Sequence, residues 1–514
     1  MCLCACVLLC LFNQQTQLNQ RNMASLQIIL FIAVFMIMAL SMFFRKIPAL
    51  IALPIMAFLI PLIGGVSLTE TIEYVIGLGA VKLHTAYTVA LFGSMLSILL
   101  QKTGVAENFI KKGAELAGDN PAVIGIIMLL LITILFTTLG GLGAIIMVAT
   151  IVLPIMSSVG IGSMTIVGIF LIGLSMGGIL NAGNWAVYVD VMGLSINEIR
   201  PFALTMFLLT FIASILYIFI QLYRDGHMLK FSRLAYISGG LLIICIIIMT
   251  GYNQADETIL VSIRQTLAEI GTVLKLLIAG LIVLLFLLSF YRKVLRRKSD
   301  PGGIYWTAYF TPLIPLLLIL ILSMNFIAAF ICGLVYGFVS TYRTGSLNTF
   351  VQSVLEGGAV VMPAVVLMLG IGMLLNAVIG PGEAWLAVHS EGWPVLNLLR
   401  PVIQAVVPEN IFSYVLIFGL AAPLALYRGP LNVWGMGYGM AAVLLASGMS
   451  AGAVMGLLLA VGQVQGISDP TNTHNVWLAN EMRQDVQKVL WNTLPYTWML
   501  AVAGLIAAGL FFML

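Results

Sequence analysis

Apolar runs long enough to cross a bilayer recur along the 514-residue chain, for example at 26–44, 202–223 and 272–291. A membrane helix needs about 20 predominantly apolar residues. Only 8% of the residues are charged and 61% are hydrophobic, whereas soluble domains carry about 25% charged residues. So few charges cannot cover a soluble surface of this size. The sequence therefore predicts an all-α polytopic protein, and we expect it to be integral to a bacterial inner membrane.

The first 25 residues read as an N-terminal extension that the membrane part does not need. Four of the six cysteines lie within the first ten residues, in an apolar opening without the basic residues of a signal peptide. A polar stretch follows, and an ordinary membrane segment begins after Met23. No cysteine spacing in the sequence resembles a metal site, and we expect no cofactor apart from a bound Na⁺.

The composition also excludes several classes of function. The formal net charge of +4 is a weak excess, so we expect no nucleic-acid partner. The sequence contains no Walker loop, which argues against an ATP-driven pump. It also contains no Ser/His/Asp set, and we predict that the protein is not an enzyme.

Two collinear blocks of sequence similarity indicate an internal duplication. A shift of 288 residues aligns 139–184 with 427–472 without a gap, and a shift of 279 aligns 68–93 with 347–372. The predicted domains are repeat 1 (26–223), a linker with two membrane helices (224–304) and repeat 2 (305–514). The matched positions include Gly141 with Gly429, Gly178 with Gly466, Asn184 with Asn472, Gly79 with Gly358, and Gly93 with Gly372.

The basic residues favour repeats of opposite orientation. Arg292 opens a run with five basic residues in seven, the strongest cytoplasmic mark in the chain. Counting from it, the segment 326–342 would run inward and end at Arg343. Its repeat mate, 47–63, starts just after Arg45 and Lys46 and would run outward. This pattern predicts two inverted repeats.

Each repeat contains an apolar helix that is interrupted at the same place. The segment 164–192 is broken at 178–184, and the segment 453–480 is broken at 466–475. Glycine and proline open a helical backbone there, and broken helices at matching places in two halves point to the binding site of a transporter. The alternative is a pair of ordinary polar loops at helix ends. The candidate binding residues in the breaks are Asn181, Asn184, Asp469, Thr471, Asn472 and Thr473.

Two of these residues, Asp469 and Asn472, are candidate Na⁺ ligands, and Asp469 is alternatively a proton carrier. Asp190 follows the first break as its counterpart, or else as a cap for the helix end near Asn197.

A re-entrant hairpin is predicted before each broken helix, at 140–159 and at 429–448. The predicted tips carry Ser157 and Ser158 in the first repeat and Ser447 in the second. Arg428 stands at the start of the second hairpin only. An arginine inside the membrane suits a carboxylate substrate, although a side chain that reaches to the membrane surface explains it equally well.

Paired hairpins and broken helices resemble the ion transporter superfamily, which includes gluconate, citrate and dicarboxylate permeases and some sodium/proton antiporters. The resemblance rests on 178–184 and 466–475 and covers 26–514. Carboxylate symporters of that superfamily carry Ser-Asn-Thr at their hairpin tips, where this chain has Ser157-Ser158 and Ser447-Gly448. The resemblance implies inverted repeats, a midplane site, elevator-type transport and a homodimer.

We therefore predict a secondary active transporter that couples Na⁺ or H⁺ to the symport of a small organic anion, a carboxylate. The alternative is a Na⁺/H⁺ antiporter, with Asp469 and Asp190 as the exchanging carboxylates. A channel or an intramembrane enzyme is a weaker interpretation, because paired broken helices are not the usual pattern of a pore and no convergent catalytic pair is present.

Overall fold

The computed structural model describes residues 23, 25–38, 40–42, 46–227, 257–296, 304–343, 345–404, 407–433 and 437–513. Every regular element in these ranges is helical, as predicted. Seven of the described helices are long and apolar enough to cross a membrane, and a bent pair adds an eighth span. Most of the predicted extension and the first predicted linker helix, at 234–250, lie outside the described residues.

The first half contains α1 (Ser25–Met42), α2 (Ala49–Ile63), α3 (Leu68–Lys102), α4 (Val105–Ala117), α5 (Pro121–Phe136), α6 (Leu142–Ser158), α7 (Ser163–Ile179), α8 (Ala182–Met192) and α9 (Ile196–Arg224). The linker contributes α10 (Glu257–Ser289), which a π-helix, Phe290–Leu295, extends. The second half contains α11 (Leu313–Leu320), α12 (Phe326–Ser340), α13 (Ser346–Ile379), α14 (Pro394–Gln404), α15 (Ile411–Ala421), α16 (Tyr438–Ala446), α17 (Ala451–Ser468), α18 (Thr473–Glu481) and α19 (Val486–Phe512).

Each of the eight helices from α2 to α9 has an equivalent at the same place in the series from α12 to α19. The members of several pairs have similar lengths: α2 and α12 have 15 residues each, α3 and α13 have 35 and 34, and α9 and α19 have 29 and 27. Helices α5, α6, α15 and α16 are all shorter than the ~20 residues of a full span. In each half two consecutive short helices, α5 and α6 or α15 and α16, directly precede the helix in two pieces.

The equivalent helices α3 and α13 pack against each other in opposite directions. Lys82, in the first half of α3, donates to Asn376 near the end of α13 at 2.8 Å. Lys102, at the end of α3, pairs with Glu356 in the first third of α13 at 2.6 Å. Opposite directions in equivalent helices are the geometry of inverted repeats.

Glycines bring these two helices into backbone contact at two places. A Cβ atom at Gly79 would lie 2.6 Å from Met373 Cα, and one at Gly357 would lie 2.5 Å from Met95 Cα. Small residues permit this close approach between membrane helices. Gly79 and Gly357 are therefore needed for the close packing of α3 against α13.

Candidate functional site

In each broken helix an asparagine after the break donates its side-chain N–H to a backbone carbonyl before the break, and the two asparagines are equivalent in the repeats. Helices α7 and α8 meet at an angle of 46°, and Asn184 Nδ2 donates to the carbonyl of Gly178 at 2.7 Å. In the second half, Asn472 Nδ2 donates to the carbonyl of Gln465, also at 2.7 Å. In each half the amide bonds a carbonyl near the end of the first piece, which also accepts a long 3.3 Å bond from the backbone N–H of Asn181 or of Asp469.

The residues that begin the second pieces differ between the halves. Asn181 caps α8, since its side chain accepts from the N–H of Gly183 at 2.9 Å. Asn472 stands at the same position before α18, but it caps no N–H group because its amide points back to Gln465. The first turn of α18 therefore lacks a side-chain cap.

The predicted hairpin tips lie after α6 and α16, whereas in the structure the hairpin tips lie before these helices. The predicted hairpin 140–159 is mostly one straight helix, α6, and the turn that faces the broken helices is 137–141, between α5 and α6. Ser158 lies at the far end of α6, roughly 24 Å away at 1.5 Å per residue. The turn beyond it is anchored to the end of α9, where Gly162 N donates to Asp225 at 2.9 Å.

The second hairpin shows the same displacement. Its tip is 428–432, between the 3₁₀-helix Ala422–Arg428 and α16, whereas Ser447 follows α16 and donates to Leu444 O at 2.5 Å. None of Ser157, Ser158 and Ser447 lines the cavities at the breaks. The prediction that these serines lie at the hairpin tips that face the breaks is therefore wrong.

A cavity of about 560 Å³ lies where both hairpin tips and both broken helices meet. Three of the predicted site residues, Asn184, Asn472 and Thr473, line it. The remaining lining is Gly141, Leu142, Ile145, Leu174, Ser175, Gly178, Ile179, Tyr188, Leu367, Asn432, Val433, Tyr438, Leu458, Leu459, Gly462, Gln463, Gln465, Gly466 and His474. Among the described residues, the lining contains no Asp, Glu, Lys or Arg.

Two helix N-termini open into this cavity without a side-chain cap. Helix α6 follows Gly141, which has a left-handed φ of 84° and no side chain to offer. Helix α18 follows Asn472. The first N–H groups of a helix have no partner within it, and the N-terminus carries a partial positive charge. The cavity thus combines two positive helix ends with a lining free of described carboxylates.

Asp469 lies behind the cavity wall and is fully buried. Its Oδ1 accepts from the N–H and hydroxyl groups of Thr471, at 2.9 and 2.8 Å, and from Tyr427 N at 3.1 Å. Its Oδ2 accepts from Asn432 Nδ2 at 3.1 Å. The carboxylate therefore ties the break to the second hairpin tip and holds Tyr427 in a left-handed conformation, with φ 53°.

The other predicted residues lie around the site. Asn181 lines a second cavity of about 330 Å³, which shares Gly141, Gly178 and Asn184 with the first. Asp190 does not cap the helix near Asn197. Its Oδ2 instead accepts from Ala86 N at 3.0 Å, in the first turn of the His84–Lys102 part of α3. The side chain of Arg428 lies outside the described part of the chain, so its contact with a carboxylate stays a prediction.

Several lining residues were not predicted. Ser175 and Gln463 hydrogen-bond to each other across the cavity wall at 2.8 Å, and Gln465 accepts from Val433 N at 2.7 Å. The 288-residue shift could have indicated the first pair, because it aligns Ser175 with Gln463.

No protein-family model matches the sequence, and no curated protein matches it. Among solved structures, a similarity was found to the YdaH transporter of Alcanivorax borkumensis, whose crystal structure was described as revealing an unusual topology. The two chains share 15% sequence identity over 85% of this chain and 86% of that chain, with a TM-score of 0.48.

Proposed function

We propose that this protein is a secondary active transporter that carries a small organic anion together with a coupling cation. The observation that carries the proposal is the meeting of two broken helices and two hairpin tips around one cavity, with two uncapped helix N-termini facing it. Discontinuous helices of this kind place anionic groups at half-helix N-termini and cations at carbonyl groups.

The cavity suits a small anion in size and in polarity. Its volume of about 560 Å³ lies within the ~300–1,000 Å³ of typical small-molecule sites. The uncapped turns of α6 and α18 offer N–H donors to a carboxylate, and no described acidic side chain in the lining repels it. We propose a small carboxylate as the substrate, recognised by backbone N–H groups.

Coupling to a cation is proposed from the chemistry of the amides and of Asp469. In Asn184, Asn432 and Asn472 the side-chain nitrogen makes the hydrogen bonds, so the amide oxygens accept none from the described residues. Oxygen ligands suit hard cations such as Na⁺. Asp469 is fully buried and accepts hydrogen bonds from four donors, and a nearby cation offsets the cost of burying a carboxylate.

The buried carboxylate also supports the second candidate, a Na⁺/H⁺ antiporter. In that reading Asp469 takes up a proton or Na⁺ in turn, and the hydrogen bonds from Tyr427 and Asn432 break and re-form with each exchange. No organic substrate would then be needed.

The test is uptake into liposomes that contain the purified protein. Labelled small mono-, di- and tricarboxylates are offered under an inward Na⁺ gradient, an inward H⁺ gradient or neither. We expect at least one carboxylate to accumulate only when a gradient is present, and to accelerate uptake of the coupling cation.

Two outcomes decide between the candidates. Sodium-driven proton flux without any organic substrate, together with no carboxylate uptake, would contradict the symporter and support the antiporter. Carboxylate equilibration at the same rate and to the same level with and without a gradient would contradict secondary active transport altogether.

A further inference from the structure

A separate cavity of about 220 Å³ lies where α3 and α12 end and α13 begins. It is lined by Leu99, Lys102, Thr103, Phe338, Thr341, Arg343, Gly345, Ser346 and Thr349. None of these residues lines either of the cavities at the broken helices. Its volume is that of about seven water molecules, at roughly 30 Å³ each.

Two cationic side chains from different halves line this cavity. Lys102 is paired with Glu356 at 2.6 Å and also donates to Gln352 at 3.2 Å. Arg343 makes one bond among the described residues, a long one of 3.4 Å to the carbonyl of Thr103. Most of the guanidinium donors of Arg343 are therefore open to an oxyanion, which the planar fork of arginine binds well.

The cavity also contains one hydroxyl group that lacks a partner among the described residues. Helix α13 starts here after Gly345 with no side-chain cap, although the N–H groups of Ser346 and Asn348 donate to the carbonyls of Arg343 and Gly345. The hydroxyl oxygen of Ser346, in the first turn, is buried and has no hydrogen-bond partner among the described residues. A buried hydroxyl without a partner costs free energy, and a bound oxyanion at the helix N-terminus would satisfy it.

The surroundings place this cavity at a basic membrane surface. Ser289 at the end of α10 and Tyr336 near the end of α12 both bond to Thr307, at 2.8 and 2.7 Å. The basic end of α10, with Arg292 and Arg296, therefore lies on the same face as Arg343. Basic clusters at the end of a membrane helix attract anionic lipid headgroups.

Aromatic side chains flank the cavity. Phe338, which lines it, contacts the rings of Tyr342 and Phe350 at 5.7 and 4.9 Å between centroids. Of these three, Tyr342 is of a type that is enriched at the level of the lipid headgroups.

We propose that this cavity binds a phosphate group, supplied by the headgroup of an anionic phospholipid. Arg343 holds the phosphate oxygens bidentately and the Ser346 hydroxyl donates to them, while Lys102, whose charge is shared with Glu356, borders the cavity. The same chemistry would accept inorganic phosphate from solution, and the experiment separates the two sources. The proposal is independent of the transported substrate.

The test is thermal unfolding of the full chain in a neutral detergent, titrated with phosphatidylglycerol, phosphatidylcholine or inorganic phosphate. We expect phosphatidylglycerol to raise the Tm saturably and phosphatidylcholine not to. Inorganic phosphate that competes with phosphatidylglycerol supports a site open to solution as well. A phosphatidylglycerol effect without such competition supports a headgroup site alone.

Variants assign the effect to this cavity. Arg343→Gln and Ser346→Ala should each raise the half-saturating concentration of phosphatidylglycerol, the first by about tenfold, and Arg343→Lys should recover part of that loss. The matched control is Lys111→Gln, which removes an exposed cation of α4 that is paired with Glu107.

Three results would overturn the proposal. These are equal responses to the two lipids, an Arg343→Gln variant that binds like the wild type, and a Lys111→Gln variant that loses as much affinity as Arg343→Gln. Unfolding temperatures without added lipid show whether each variant is folded, so that a loss of binding is not confused with a loss of structure.

Discussion

Ser175 donates a 2.8 Å hydrogen bond to Gln463, and these two residues are 288 positions apart, the shift that aligns the two halves of the sequence. Equivalent residues of two repeats can touch each other only beside the axis that relates the repeats. The equivalent pairs Gly178 with Gly466 and Asn184 with Asn472 line the same cavity. The cavity therefore lies on this axis, and each half contributes equivalent backbone to it.

The bond between Ser175 and Gln463 should couple the two halves energetically. Ser175→Ala and Gln463→Leu each remove one partner, and we expect each to lower the free energy of unfolding by about 1–2 kcal/mol. The double variant should lose less than the sum, because the bond is lost only once. A double-mutant cycle of thermal unfolding in detergent checks this, and strictly additive losses would contradict the coupling.

Filling the cavity should block transport without unfolding the protein. A Cβ atom at Gly462 points into open space, with only Val433 Cγ2 within 4 Å, at 3.8 Å. Gly462→Leu should therefore occupy the substrate space without a backbone clash. We expect carboxylate uptake into liposomes, which the proposed function predicts for the wild type, to fall by about tenfold or more while the Tm stays within a few degrees.

The matched control for that variant is Gly280→Leu. Gly280 lies on α10 and is exposed, and no atom of a neighbouring described residue lies within 4 Å of a Cβ added there. Uptake by this control should equal that of the wild type. Full uptake by Gly462→Leu would show that the substrate does not pass through the cavity.

Asp469 should stabilise the folded protein, because it accepts hydrogen bonds from four donors. In Asp469→Asn the new amide nitrogen must face one of them, either Asn432 Nδ2 or the group of donors at Oδ1. We expect the free energy of unfolding to fall by on the order of 3 kcal/mol, since bonds to a charged group are lost and a donor is left unpaired. Thr471→Val, which removes a single donor, should cost only about 1 kcal/mol. The reverse order of these two losses would contradict this role.

Asn376 should hold together two elements of α3. Its Oδ1 accepts from Lys82 at 2.8 Å and its Nδ2 donates to the carbonyl of Tyr74 at 3.0 Å, within the π-helix Thr71–Gly77. Asn376→Leu leaves the Lys82 ammonium and the Tyr74 carbonyl without this partner, and we expect the free energy of unfolding to fall by about 3 kcal/mol. Asn348→Leu, an exposed position on the same helix, should cost less than 0.5 kcal/mol. Equal losses would show that Asn376 acts only through helix propensity.

The broken helices could be predicted because their cause is local. Glycine, asparagine and the Asp469-Pro470 pair alter the backbone within a few residues, and the duplication shows the pattern twice. The hairpin tips could not be placed in the same way. Both 137–141 and 157–160 have the composition of a turn, and hydropathy does not show which turn lies inside the membrane and which at its surface.

The partners of Asp469 were also beyond sequence reasoning. Tyr427 and Asn432 are 42 and 37 residues away from it along the chain. Their contact with the carboxylate depends on how far α15 and the 3₁₀-helix after it reach into the protein. The sequence indicated Asp469 as a buried ionisable group, whereas its role in tying a hairpin tip to a break follows only from the tertiary packing.

The uncapped ends of α6 and α18 have an electrical consequence. Backbone N–H groups without a protein acceptor need hydration when no solute is bound, so we expect the cavity to contain water. An aqueous cavity takes the potential of the solution to which it opens. The membrane voltage then falls across the thin layer of protein that closes the cavity, rather than across the ~30 Å of hydrocarbon. Voltage would therefore act mainly on the movement that switches access, and little on the binding of a charged solute.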